Sequence, residues 1–262
     1  MAVYMLPGSL VVKRYTGESW WKQAKEAYVY ALLAHVPGVP RVEEVDREHG
    51  VTVMTRVPGE PLASAPAERM WDLYRQLGAL QAVVHRIAQP AFGYLTTEVL
   101  DPAPDNTAYM SGRFAMKLAE FAERGGDPEI HRLATARVAA RADLFGSCAG
   151  PVLCHNDLHE RNVLVAAGED GWRVTGLVDV ENAVAADPLM DLAKTIQYDL
   201  TRSPEKVDGL LAGYGSLPAD ALARIELYRL YHALELWDWF ADIGNTGPLP
   251  GIAEDIRGLA SP

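Results

Sequence analysis

The chain has 262 residues and a net charge of −11, and 49% of its residues are hydrophobic. That length suits one large domain or two lobes around a sizeable core, and the acidic balance repels phosphate backbones, which argues against a nucleic-acid partner. No run of about eighteen apolar residues marks a membrane span, the first six residues lack the charged-then-apolar pattern of a secretory leader, and two cysteines, Cys148 and Cys154, exclude a disulfide scaffold and fit a reducing cytoplasm.

Residues 3–6 read as a strand and 7–9 as a turn. Residues 10–15 alternate as a second strand that carries Lys13. A helix is expected over 19–35, where Ala24, Ala27, Tyr28, Ala31, Leu32 and Leu33 fall at helical spacing. Lysine is rarely buried unless paired, and Glu26 on that helix is the available partner. The run Pro37-Gly38-Val39-Pro40 ends the helix. Residues 41–45 and 51–57 read as two strands around the turn 46–50, and Pro58-Gly59-Glu60-Pro61 breaks the second. A helix over 67–87 carries His85 as a packed or capping residue. Residues 92–104 read as an irregular segment. Helices at 107–124 and 128–144 are separated by Gly125-Gly126-Asp127.

The stretch 153–193 carries the chemistry. It holds His155, Asp157 and Asn162 in the spacing H-x-D-x-x-x-x-N, then Asp179, then Asp187-Pro188-Leu189-Met190-Asp191. Residues 152–154 and 162–165 read as short strands, 166–171 as a polar turn, and 172–178 as the returning strand. Folded back as a hairpin, that ribbon brings Asp179 within about two or three residues of Asn162, roughly 7–10 Å of backbone. Two oxygen ligands on neighbouring strand ends can share a Mg²⁺ whose remaining positions go to phosphate and water. Asp157, in the loop before Asn162, is placed to accept a proton from an attacking hydroxyl or to orient it. Asp187 followed by proline reads as a helix N-cap. Cys154 reads as a buried strand thiol, because no second Cys/His cluster accompanies it.

The residues 154–164, with Leu177-Val178-Asp179-Val180-Glu181 and 187–193, resemble the aminoglycoside phosphotransferase family, small-molecule kinases with a protein-kinase-like fold. The resemblance implies that Asp157 is the catalytic aspartate, that Asn162 and Asp179 hold magnesium, and that His155 braces the catalytic loop. It implies that Lys13 contacts the nucleotide phosphates while Glu26 fixes the lysine. It also implies a hinge between the lobes near Thr55, Arg56 and Val57, whose backbone would meet the adenine edge. Protein kinases often carry a lysine two residues past the catalytic aspartate; here it is His159. Twelve residues precede Lys13, which leaves no room for the first strand and its glycine-rich phosphate loop: either the lobe is trimmed or the true start lies upstream. Only seven residues separate Asp179 from Asp187, which leaves no evident activation segment for a protein kinase.

Glu181 lies two residues past Asp179 and would share its face if the strand continued. The last clear helix, 219–243, puts Glu235, Asp238 and Asp242 on one face. In the family such acidic groups receive an amine-rich acceptor, with Trp237 or Trp239 stacking on it; the plainer alternative is a solvated acidic face. The expected fold is α+β and bilobal: a small, shortened, mixed N-terminal lobe (1–57) over a larger, mainly helical C-terminal lobe (58–262). The expected activity is transfer of the γ-phosphate of ATP, or GTP in its place, with Mg²⁺, to a hydroxyl of a small molecule, cationic compounds being among the candidates. An antibiotic is the first acceptor class by resemblance. A sugar, amino alcohol or nucleoside, or a regulator that binds nucleotide without transfer, are the alternatives.

Overall fold

The computed structural model describes every residue except Pro7, Asp170, Thr201, Arg202 and Pro262, with no account of the side chains of 199–200. Two expected turns therefore lie partly outside the described residues, at Pro7 and at Asp170.

The N-terminal part is an antiparallel sheet in the order β1-β2-β4-β3, backed by one helix. Its elements are β1 (Ala2–Leu6), β2 (Leu10–Arg14), α1 (Lys22–Leu32), β3 (Val42–Asp46) and β4 (Val51–Thr55). β2 lies between β1 and β4, with Lys13 opposite Val3 on one side and Thr52 on the other. Among the described residues one strand, β1, precedes the lysine strand. The α1 helix buries Val29 and Tyr30. The Gln23 side-chain amide donates to the carbonyls of Asp46 and Val51 at 3.0 and 2.9 Å, which ties the start of α1 to the β3–β4 turn.

The larger part begins at β5 (Glu60–Pro61) and continues with α2 (Met70–Val84), β6 (Phe92–Leu95), β7 (Val99–Ala103), α3 (Asn106–Glu123) and α4 (Pro128–Arg141). Four strands follow, β8 (Val152–Cys154), β9 (Val163–Gly168), β10 (Gly171–Leu177) and β11 (Val184–Ala186). The chain then runs through α5 (Pro188–Thr195), a π-helical turn at Ile196–Leu200, α6 (Pro204–Tyr214), α7 (Ala221–Asp242) and α8 (Leu249–Ala260). β10-β9-β5 form one sheet and β7-β6-β11-β8 another. The helices bury Leu73, Leu77, Phe114, Phe121, Tyr228 and Tyr231. α2 and α6 approach backbone to backbone. A Cβ on Gly78 would meet the Leu210 carbonyl at 2.0 Å, and one on Gly213 the Arg75 carbonyl at 1.7 Å, so glycine is required at this crossing.

Three expectations change. Residues 92–104 are a hairpin, β6–β7, because β11 pairs with β6 through Val184 and Tyr94 and supplies ladder partners that local sequence does not reveal. The proline-bearing break at 58–61 contains β5, a two-residue edge strand on β9, an edge position being where proline is tolerated. The hairpin strands β9 and β10 extend into the stretch read as a polar turn, with Gly171 paired to Gly168. Among the described residues no helix is long and apolar enough to cross a membrane.

Candidate active site

The loop after β8 is fixed from below by Asp191 on α5. That carboxylate is buried and accepts the backbone N–H of His155 at 3.0 Å and of Asn156 at 2.6 Å. It also meets His85 Nε2 at 2.9 Å. Burial alone would raise its pKa; these partners, His85 foremost, overcome that and bring it down to about 2. Asn156 is left-handed, with φ +59°, a conformation that asparagine tolerates. His155 Nε2 bonds the Val178 carbonyl at 3.1 Å and so ties the loop to the end of β10. Asp187 caps α5 through the Leu189 N–H at 2.9 Å, and its other oxygen is held by Arg224 and Tyr228.

Asp157 follows this braced pair. Its Oδ2 accepts from Asn182 Nδ2 at 3.0 Å and from Asn162 Nδ2 at 3.3 Å, while Asn162 Nδ2 also donates to the Asp157 carbonyl at 2.9 Å. With its amide nitrogen spent on Asp157, Asn162 keeps its side-chain oxygen for a cation. The hairpin register pairs Val163 with Leu177, and the Val178 N–H donates to the Asn162 carbonyl at 3.0 Å. Asn162 therefore lies beside Val178, one residue from Asp179.

Asp179 leaves the strand in the left-handed region at φ +66°, and its N–H donates to Tyr30 Oη at 3.1 Å. Its Oδ1 accepts from Lys13 Nζ at 2.9 Å, and the same ammonium reaches both oxygens of Glu26 at 2.7 and 2.8 Å. Lys13 and Glu26 are buried. Burial works against the charge on Lys13, but Glu26 and Asp179 outweigh it and leave its pKa raised. Burial raises the Glu26 carboxyl against the opposing pull of Lys13. The strand does not continue past Asp179: residues 180–182 form a 3-10 turn, so Glu181 does not share a strand face with it. That turn nevertheless brings oxygens of Glu26, Asp179 and Glu181 within 4.8 Å of one another, and Lys22 pairs with Glu181 at 2.9 Å. Carboxylate oxygens gathered this way are hard ligands of the kind a divalent cation such as Mg²⁺ takes.

Above this cluster lies a cavity of about 270 Å³ between sheet and hairpin. Val3, Met5, Val11, Met54, Leu164 and Val178 give it apolar lining, and Lys13, Asn162 and Asp179 line it with polar groups. Thr55, Arg56 and Val57 line it as well. The Thr55 and Arg56 amides are spent on the carbonyls of Arg41 and Ser9, each at 2.8 Å; among the described residues the Val57 amide has no backbone partner.

The three late carboxylates each pair with a cation of the chain. Glu235 pairs with Lys194, Asp238 with Lys117 and Arg124 at 2.8 and 2.7 Å, and Asp242 with Arg124 at 2.8 Å. Trp237 is buried, with its ring centroid 4.5 Å from that of Phe121, and Trp239 is exposed beside Phe240. Sequence reasoning passed over Asn182, Tyr30 and Lys194, whose roles arise from packing; the two-residue offset of Asn182 from Val180 in a turn offered no recognisable signal. Cys154 is buried and burial pushes its thiol pKa well up, as a structural cysteine requires.

Residues 4–228 match the model of the phosphotransferase enzyme family (APH). A search of curated proteins returns no match. Among solved structures, a thermostable mutant of aminoglycoside phosphotransferase APH(4)-Ia in its apo form superposes with a TM-score of 0.74 at 16% identity, covering 98% of this chain and 89% of the other. The choline/ethanolamine kinase family protein from Mesorhizobium loti gives a TM-score of 0.72 at 18% identity, over 99% of this chain and 85% of the other. A ternary complex of the APH(4)-Ia enzyme with ADP and hygromycin B gives 0.69 at 17% identity, over 98% and 88%. With the lysine, the paired glutamate and the hairpin aspartate already gathered at one cleft, the match across most of the chain settles the family: this protein belongs to the phosphotransferase enzyme family, with a kinase-like fold.

Proposed function

We propose that this chain is a cytoplasmic, Mg²⁺-dependent kinase that moves the γ-phosphoryl group of ATP to a hydroxyl of a small molecule. The observation that carries the reading is the Lys13 ammonium bridging Glu26 and Asp179 in the lining of a mostly apolar cavity, with Asn162 and Asp157 on the adjoining loop. The cavity suits an adenine base. Val57 offers an amide to its edge, and Lys13 faces the phosphates. Asn162 and Asp179 would hold the metal, which supplies charge neutralisation along the triphosphate. Asp157 accepts the hydroxyl proton as the acceptor oxygen bonds to the γ-phosphorus. Transfer is direct and forms no covalent enzyme intermediate.

The acceptor is a small hydroxylated compound. Relatives in fold include aminoglycoside and choline kinases, so an antibiotic and a metabolite are both candidate acceptors. A nucleotide-binding regulator is disfavoured, because such a protein has no use for Asp157 held by the amides of Asn162 and Asn182 beside the proposed metal ligands. The test is transfer from γ-labelled ATP across a panel of hydroxylated antibiotics, sugars, nucleosides and amino alcohols, with and without Mg²⁺. Acceptor-stimulated, Mg²⁺-dependent transfer that vanishes in Asp157→Ala supports the reading. Transfer unchanged in that variant removes Asp157 from the role.

A further inference from the structure

Asp157 has a second polar side chain beside it, His159, which does not line the nucleotide cavity. His159 Nδ1 accepts the Arg161 backbone N–H at 3.2 Å, which assigns the ring proton to Nε2. That Nε2 stands 4.0 Å from Asp157 Oδ2, too far for a direct hydrogen bond. An oxygen at about 2.8 Å from both atoms fits between them and subtends roughly 90°, an acceptable angle for a hydroxyl that donates to one partner and accepts from the other. The imidazole is steadied from its far side by the Tyr198 ring, edge-on with centroids 5.8 Å apart.

His159 also borders a second cavity, of about 380 Å³, with Ala63, Glu160, Arg161 and Tyr198. The charges around it decide what it can hold. Glu160 receives Lys206 at 2.6 Å and Tyr74 at 3.0 Å. Lys194, whose ammonium lies 5.1 Å from the centre of the Tyr198 ring, is matched by Glu235. The side chain of Arg161 has no carboxylate partner among the described residues. Among the described lining residues, the guanidinium of Arg161 is thus the charge left without a counter-charge, although the chain as a whole is strongly acidic.

We propose that the acceptor hydroxyl is held between Asp157 Oδ2 and His159 Nε2, that the body of the acceptor occupies this second cavity, and that the acceptor is an uncharged or anionic hydroxy compound, not a polyamine. This rests on the kinase reading above. In the step it describes, the hydroxyl proton passes to Asp157, the acceptor oxygen bonds to the γ-phosphorus, and the bond from that phosphorus to the bridging oxygen breaks with its electron pair leaving on ADP. His159 keeps its proton and fixes the direction of attack.

Glutamine places a side-chain N–H near Nε2, whereas asparagine reaches only as far as Nδ1, so the two variants separate the roles of the ring nitrogens. His159→Asn is expected to lower kcat by about a hundredfold or more and to raise KM for the acceptor, with KM for ATP unchanged; His159→Gln recovers most of the loss. Equal activity in both variants overturns the assignment of His159. For the cavity, the MgATP-loaded protein is screened by thermal shift and transfer against hydroxy acids, sugars and aminoglycosides. Stabilisation by hydroxy acids or sugars, lost for the acids in Arg161→Glu, supports the proposal. A response to aminoglycosides alone, or to none of the panel, overturns it. A protein that binds no MgATP at all fails the kinase reading instead, and the MgATP titration run first tells the two failures apart.

Discussion

Replacing Asp191 with asparagine removes one negative charge from beneath the catalytic loop and keeps the volume. The carboxylate is fully buried and accepts two backbone N–H groups and His85. Its pKa falls from 3.8 to about 2 on folding, which contributes about 2 kcal/mol at neutral pH. The group is depressed in the folded state, so this contribution is complete above about pH 4 and disappears as pH falls from there to about pH 2. Asparagine keeps one accepting oxygen but turns an NH₂ toward a buried N–H, and an orphaned buried donor costs a further ~1–3 kcal/mol. The expected loss is about 3–5 kcal/mol in urea unfolding at pH 7, with m unchanged and a weakened fall in stability between pH 4 and pH 2. Because Asp157 directly follows the braced Asn156, kcat should fall on the order of a hundredfold in the folded variant. A loss below about 1 kcal/mol with wild-type kcat would show that Asp191 does not brace this loop.

Lys13→Met should raise KM for ATP and lower kcat by more than about tenfold, measured by steady-state kinetics, because it removes the ammonium shared by Glu26 and Asp179; Glu26→Gln should give a smaller loss in the same direction. Lys25 is fully buried, with its ammonium 4.0 Å from the Tyr94 ring centre and no hydrogen-bond partner among the described residues, and burial lowers its pKa to about 8. Between about pH 8 and the ordinary lysine range near 10.5 the unfolded chain binds the extra proton, so wild-type stability rises with pH across that window. Thermal melts of Lys25→Met should lack that rise.

Much of the site is legible because the chemistry is local in sequence. Asn162 and Asp179 flank one hairpin, Asp157 lies in the loop that leads into it, and strand pairing alone brings Asn162 beside the start of the Asp179 turn. The Lys13–Glu26 pair follows from the cost of burying a lone lysine. What sequence misreads are contacts between distant segments. β6–β7 is a hairpin only because β11 completes its sheet. The acidic stripe of α7 looks free until Lys117, Arg124 and Lys194 arrive from α3, the loop after it and α5. Glu181 reaches Asp179 through a 3-10 turn and not along a strand, a consequence of the left-handed Asp179 backbone.

Calorimetric titration of ATP in the presence of Mg²⁺ into the wild type, Asn162→Ala and Asp179→Ala measures the cation clamp apart from any acceptor. The wild type should bind MgATP well above its affinity for ATP alone, and both variants should lose that metal-dependent gain. Equal MgATP affinity in all three proteins would contradict the account.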